Sequence, residues 1–499
     1  MTNQSLYAQI AARFPRDPAA PCLILPDKGV WTYGDIDRAT GRLANLIVSL
    51  GLKPGDRVAA QVEKSPQALV LYLAALRAGM VFLPMNPAYQ RDEVAYFLGD
   101  ATPRLFVCQP QSRVLADEVA PKVGLRHVLG LDDTGKGSLV DAATAQADAF
   151  ETVERAGRDL AAILYTSGTT GRSKGAMLTH GNLASNARVL HQYWHFRPGD
   201  VLLHMLPIFH VHGLFVASHT ALWNGSAIFF EPKFDARRAL ELLPQSTVFM
   251  GVPTYYVRLL ADPAFTKDVC RDMRLFISGS APLLRETFDE FRKRTGHTIL
   301  ERYGMTEGGM FTSNPYDGER RGGTVGLPLP GTQVRIVDDA GTPYPPDQVG
   351  NIEVRGDNVF VGYWKMPERT QDEFTADGWF RTGDMGQWDD DGYVSIIGRS
   401  KDLVITGGLN VYPKEIEEMI GALPGVGESA VIGLPHPDLG EAVTAVVTRQ
   451  QNAAGAALTE GAVIAALTGR LANFKVPKRV LFVDDLPRNT MGKVQKKLL

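Results

Sequence analysis

Apolar positions recur with two different periods along this chain, and their alternation predicts stacked layers of helix and sheet. Over 34–50, Ile36, Leu43, Ile47 and Val48 fall at helical spacing, and 65–78 reads as a second helix with an apolar face. The runs 81–84 and 104–108 are short and uninterrupted, as in strands covered on both faces. Repeated strand–helix alternation through 1–160 predicts α/β layers with partly parallel sheets. From about Gly323 the pattern changes to strand–turn–strand: 332–337 followed by Asp338-Asp339-Ala340-Gly341, and 386–388 followed by Asp389-Asp390-Asp391-Gly392-Tyr393. The acidic run 389–391 lacks the loop length and closing Glu of an EF-hand and reads as a solvated hairpin turn.

A third pattern begins near Gly398. A short helix at 414–420, strands at 429–432 and 442–448, and a helix at 459–471 predict a compact α+β unit of about 100 residues. The predicted fold is therefore α/β and α+β: a large N-terminal domain of layered sheets and helices over 1–398, a hinge at 399–402, and a small mobile C-terminal α+β domain over 403–499. No internal repeat or low-complexity tract interrupts it.

Composition narrows the function. Lys and Arg total 52 against 55 Asp and Glu, a net charge of −3, which argues against nucleic-acid or anionic-membrane partners. Cys22, Cys108 and Cys270 are odd in number and far apart, so neither a disulfide framework nor a zinc site is expected. The first residues lack the apolar core of a signal peptide. The most apolar windows, 68–84 and 201–223, carry Arg77 in one and four histidines with Pro207 in the other, so neither reads as a membrane span. The expected location is cytoplasmic.

The sharpest local signal is Tyr165-Thr166-Ser167-Gly168-Thr169-Thr170-Gly171-Arg172-Ser173-Lys174-Gly175, which follows the apolar run 160–164. Its glycines let the backbone turn tightly and point N–H groups inward, and its hydroxyls and two cations add donors for phosphate oxygens. It lacks the closing GK[ST] of a Walker A loop.

With this loop in place, five further stretches complete a recognisable order. They are Ser278-Gly279-Ser280-Ala281-Pro282, Glu301-Arg302-Tyr303-Gly304-Met305-Thr306-Glu307, Trp379-Phe380-Arg381-Thr382-Gly383-Asp384 with Gly398-Arg399-Ser400-Lys401-Asp402, and Pro487-Arg488-Asn489-Thr490-Met491-Gly492-Lys493. The chain resembles the acyl-CoA synthetases of the adenylate-forming superfamily over essentially its whole length. Within that family it is most similar to malonyl-CoA synthetases, through Leu206-Pro207-Ile208-Phe209-His210-Val211-His212-Gly213 and the segments 251–260 and 314–331.

The resemblance implies an acid–thiol ligase that forms an acyl-adenylate from ATP and then a CoA thioester. Both partners of the first step are anions, so charge neutralisation matters most. It implies that Thr166, Ser167, Gly168, Thr169, Thr170, Gly171 and Lys174 cradle the ATP phosphates. Ser280, Ala281, Pro282, Glu301, Arg302, Tyr303, Gly304 and Met305 then surround the nucleotide, Thr306 bonds the α-phosphate, and Glu307 holds Mg²⁺. Asp384 and Arg399 take the ribose. Lys493 is the catalytic cation. Residues 403–499 are expected to swing about Lys401, bringing Gly407 and Gly408 to the CoA arm.

For the acid, the resemblance and the residues together point to malonate, with methylmalonate as a variant. His210, Ser280 and Met305 are expected at the acid, and Arg258, four residues after Thr254 on a helix that Pro253 opens, is expected to be buried and to grip the distal carboxylate. Arg285 is the competing cation. The alternative activities are a short- or medium-chain fatty acyl- or aryl-CoA ligase, and a stand-alone adenylation enzyme that loads a carrier protein. Bacterial relatives also suggest a regulatory partner, a lysine acetyltransferase and deacetylase acting on Lys493.

Overall fold

The computed structural model of the protein describes residues 3–25, 29–166, 173–406, 409–436, 439–468, 470–471, 473–489 and 492–499. Among these, the strands form four sheets. In the first, His127–Gly130, Leu105–Cys108, Arg57–Gln61, Val81–Pro84 and Leu160–Thr166 lie side by side and parallel, and Lys174–Thr179 adds antiparallel to the last. In the second, six strands are parallel: Leu300–Met305, Leu275–Ser278, Val248–Gly251, Val201–His204, Ala227–Phe230 and Pro21–Leu25. Antiparallel strands border it, Gly309–Ser313 on one side and Gly29–Thr32 on the other.

The uninterrupted apolar runs are explained by burial on both faces. Leu202, Val248 and Leu275 point into the core shared by the two sheets, whereas their neighbours Leu203, Phe249 and Phe276 point outward into a second core. The first sheet repeats this with Val58, Leu105 and Ala162 facing in, and Ala59, Phe106 and Ile163 facing out. Tyr33–Ser49, Pro66–Arg77 and His219–Asn224 contribute to the shared core. Pro66–Arg77 is enclosed so fully that every residue from Ala68 to Arg77 is buried. Ser65 caps it, with Pro66 at its first position. Pro253–Leu260 and Arg285–Thr295 cover the second sheet's outer face. Arg91–Ala101 and Arg113–Val123 cover that of the first.

The hairpins expected after Gly323 pair into one antiparallel sheet of Thr332–Val337, Gly350–Gly356, Phe380–Trp388 and Val394–Arg399. The acidic turn is closed by an arginine: Arg321 donates to Asp389 and Asp391, 2.7 Å each, with its guanidinium 4.1 Å from the Tyr393 ring centre. The fourth sheet uses only residues after 403: Leu409–Val411, Val404–Thr406, Gly440–Arg449, Val426–His436 and Arg479–Val483. Val404, Ile416, Val431, Val443 and Val480 form its own core. The helix expected over 459–471 stops at Leu467, because Thr468 turns extended (ψ 132°).

The accessible surface is 21,231 Å², against roughly 18,000 Å² for one compact body of this mass. The buried side chains are divided among several separate clusters rather than one core, in keeping with the excess. Among the described residues no helix is long and apolar enough to cross a membrane. The three cysteines are buried and unpaired.

Candidate functional site

The carboxyl ends of the second sheet's parallel strands converge on one cleft, as ligand sites do in such sheets. Strand Val201–His204 leads into 205–213, Val248–Gly251 into helix Pro253–Leu260, Leu275–Ser278 into 279–283, and Leu300–Met305 into Thr306 and Glu307. The C-terminal segment closes over them. A Cβ built on Gly492 would stand 3.4 Å from Thr254 Oγ1, so the tail rests on the first turn of helix Pro253–Leu260.

That contact brings Lys493 among charges drawn from four elements. Lys493 is exposed, yet enough protein surrounds it to desolvate the ammonium. Burial therefore lowers Lys493 to about 8, with Arg399 and Arg302 adding to the effect while Asp384 and Glu307 oppose it. His210 feels the same cations. Burial, then Lys493 and Arg302, push it down to about 3, so the imidazole is neutral.

Asp384, at the centre of Phe380–Trp388, has both oxygens engaged. Tyr303 donates its hydroxyl at 2.5 Å and Arg399 Nε lies at 3.0 Å. Glu307 is buried, which raises its carboxyl, and it accepts the Tyr363 hydroxyl at 3.0 Å. The Tyr363 ring lies 4.2 Å from the Lys174 ammonium, which is paired with Glu373 at 3.1 Å. Tyr363 and Glu373 were not anticipated from the sequence. The distances of 56 and 199 residues to their partners leave no local signal.

The strand Leu300–Met305 also carries buried charges. Glu301 accepts from the Leu283 backbone at 3.2 Å, and burial pushes it up to about 7. It thereby supports the segment containing Ala281 and Pro282. Arg302 is 3% exposed, and its Nε and Nη2 meet no partner. Burial pushes it down to about 9, and among the described residues it has no ion pair. Its guanidinium lies so close to Gly279 that a Cβ there would stand 2.4 Å from Nη1. Gly304 is likewise required: a Cβ would stand 1.9 Å from the Gly309 carbonyl oxygen. Ser280 takes φ +72°, a strained value for a residue with a side chain, and its hydroxyl is 3.2 Å from His212 Nδ1. Met305 and Thr306 are half-buried at the strand end.

Two acid-binding expectations change. Arg258 is exposed rather than buried, since Tyr256 and Leu259 occupy the inward face of the helix. It shares the Thr254 face, has no ion pair among the described residues, and its burial argument does not hold. Arg285 is tied to Asp289 at 3.0 Å and to the Gly322 carbonyl at 3.1 Å on an outer helix. Arg302, unlike Arg258 and Arg285, is buried.

Thr166 ends its strand half-buried. Ser167, Gly168, Thr169, Thr170, Gly171, Gly407 and Gly408 lie outside the described residues, as does the Lys401 side chain.

Residues 8–364 match the AMP-binding enzyme family, and residues 415–493 match the AMP-binding enzyme C-terminal domain. A malonate–CoA ligase from Arabidopsis thaliana is 35% identical over 95% of this chain and 85% of that one. A malonate–CoA ligase from Mus musculus is 38% identical over 96% of this chain and 88% of its own. The crystal structure of ATP-bound MatB from Rhodopseudomonas palustris superposes with a TM-score of 0.97 at 55% identity, covering 100% of this chain and 98% of that one.

Proposed function

The chain belongs to the AMP-binding enzyme family, and on that premise we propose that it ligates malonate to CoA through a malonyl-adenylate. A malonate carboxylate oxygen attacks the α-phosphorus of ATP, and pyrophosphate leaves with the bonding electrons. The CoA thiolate then attacks the acyl carbon, and AMP leaves. Methylmalonate is the second candidate acid.

The observation that carries this reading is that Arg302, Arg399, Asp384 and Glu307, drawn from different elements, all act on Lys493. Lys493 neutralises charge as carboxylate and α-phosphate approach, while Thr306 bonds a phosphate oxygen. Lys174, released from Glu373, meets the outer phosphates with the 166–171 loop. Asp384 and Arg399 take the ribose, with Ser280, Ala281, Pro282, Tyr303, Gly304 and Met305 around the nucleotide. The buried Glu307 carboxylate, oriented by Tyr363, suits a hard cation, and Mg²⁺ held there would offset phosphate charge.

Arg302 selects a diacid. An unpaired guanidinium buried beside the acid is costly, and a distal carboxylate satisfies it. Exposed Arg258, on the Thr254 face, provides a second cation at the mouth. His210, neutral, completes the wall. A fatty or aryl acid would leave Arg302 unpaired against hydrocarbon.

Residues 403–499 form the moving part and 399–402 its hinge, with Gly407 and Gly408 admitting CoA after the swing. Acetylation of Lys493 by a lysine acetyltransferase would remove the charge on which the first step depends. Pyrophosphate exchange into ATP with malonate, methylmalonate, acetate, octanoate and coumarate tests the reading. Malonate should support the fastest exchange; a faster monocarboxylate would overturn the diacid assignment.

A further inference from the structure

Lys64 lies outside every motif above, yet it is 7% exposed, deep in the protein. Its Nζ donates to His204 Nδ1 and to the His204 carbonyl, 2.9 Å each, and sits 4.4 Å from the Phe230 ring centre. Among the described residues it has no carboxylate partner. Glu231 is the acidic group that acts on it, and Glu231 is itself 3.6 Å from Arg238. The Gly213 carbonyl can only accept, so Nε2 carries the hydrogen that it receives and Nδ1 is the bare nitrogen that accepts from Lys64. That hydrogen is donated to the Gly213 carbonyl at 2.9 Å, with Ser218 Oγ 3.1 Å from the same nitrogen. Ser218 donates to the same carbonyl at 2.8 Å.

Gly213 is therefore held from two sides at the start of a wide, i→i+5 helical turn, His212–Ser218, of a kind that clusters at functional sites. It is also pressed against the preceding loop, where a Cβ would stand 2.0 Å from the Pro207 carbonyl oxygen. The residues just before it touch the strand-end segments: His212 Nδ1 is 3.2 Å from Ser280 Oγ, and the His212 amide donates to His210 Nδ1 at 3.3 Å. The path Lys64–His204–Gly213 ends one residue from His212 and three from His210, the two imidazoles on which Arg302 acts.

We propose that Lys64 and His204 are positioning residues for acid activation: by pinning Gly213 they set where His210 and His212 stand against the acid. The inference rests on reading 205–213 as the wall of the acid chamber. It explains why a lysine is buried without a carboxylate, since the imidazole and carbonyl accept its hydrogen bonds and those bonds hold one tautomer of His204.

The test compares wild type with Lys64→Met, His204→Phe and His204→Gln in pyrophosphate exchange, varying malonate and ATP separately, with calorimetric ATP binding in the absence of acid. Gln keeps an acceptor for Lys64 and a donor for Gly213. Lys64→Met and His204→Phe should lose about 10- to 100-fold in kcat/KM for malonate, as expected of a displaced wall. ATP binding should stay within about twofold of wild type, since no ATP contact is changed. His204→Gln should recover most of the loss. Full activity in Lys64→Met, equal losses toward acid and ATP, or a His204→Gln variant as poor as His204→Phe would each overturn the proposal. If the two severe variants do not fold, Ser218→Ala decides: it should raise the malonate KM alone, and an unchanged KM counts against positioning. If wild type prefers another acid, the malonate reading falls and the same comparison is made with that acid.

Discussion

Tyr303 donates its hydroxyl to Asp384 across 2.5 Å while Arg399 holds the carboxylate's other oxygen. Asp384 thus has both oxygens engaged, and if it takes the ribose as proposed, the ribose hydroxyls must take over or share the Tyr303 position. Asp384→Asn should therefore raise the KM for ATP by about 10- to 100-fold, the weight of a charge-assisted hydrogen bond of roughly 1.5–3 kcal/mol. Tyr303→Phe, which leaves the carboxylate free, should cost less than about tenfold. Steady-state kinetics with ATP as the varied substrate checks both.

Lys493 reaches the cleft through the tail that rests on Thr254. Lys493→Ala should slow pyrophosphate exchange by about 10²- to 10³-fold, as losing one preorganised charge-stabilising group does. Thioester formation from synthetic malonyl-adenylate should be nearly unaffected. Equal loss in both half-reactions would place the lysine elsewhere in the mechanism.

Crowding lowers Lys493 to about 8. The ammonium is the working form, so kcat/KM for adenylation should hold below that value and fall as pH rises through it. Lys493→Arg, always charged, should flatten this alkaline limb whatever its absolute rate. A rate profile from pH 6.5 to 9.5 is the measurement.

Arg302 is buried with two nitrogens unpartnered. Arg302→Met should leave the ligand-free protein as stable or raise its Tm, because an apolar side chain removes an unsatisfied buried charge. The same variant should lose the malonate-dependent rise in Tm and about 10²- to 10³-fold in kcat/KM for malonate, the scale of breaking a buried charge pair. Arg258→Leu, at an exposed position, should cost less. Thermal shift with and without malonate separates the two arginines.

Much of this was legible in the sequence because it is local. The runs 81–84, 104–108 and 332–337 form strands, and each nucleotide motif is contiguous, so order along the chain was enough to recognise it. What escaped is set by packing across distance. The spacing of Thr254 and Arg258 correctly gave a shared helix face, but not whether that face meets protein or an open cleft. Arg302 was assigned to the nucleotide because it lies in that motif; that its nitrogens lack partners emerges only where Gly279 and the strand ends crowd it. Lys64 and His204 are 140 residues apart, and nothing near either announces the other.

The resting of the tail on Thr254 has a consequence for the order of events. If the C-terminal residues swing as proposed above, the contact of Gly492 with Thr254 must break before the thiol can approach. On that proposal the mixed anhydride would stay covered while the contact lasts, and breaking it would commit the enzyme to the second substrate. A covalent staple between positions 254 and 492 would yield a catalyst that loads once and stalls, holding its cargo.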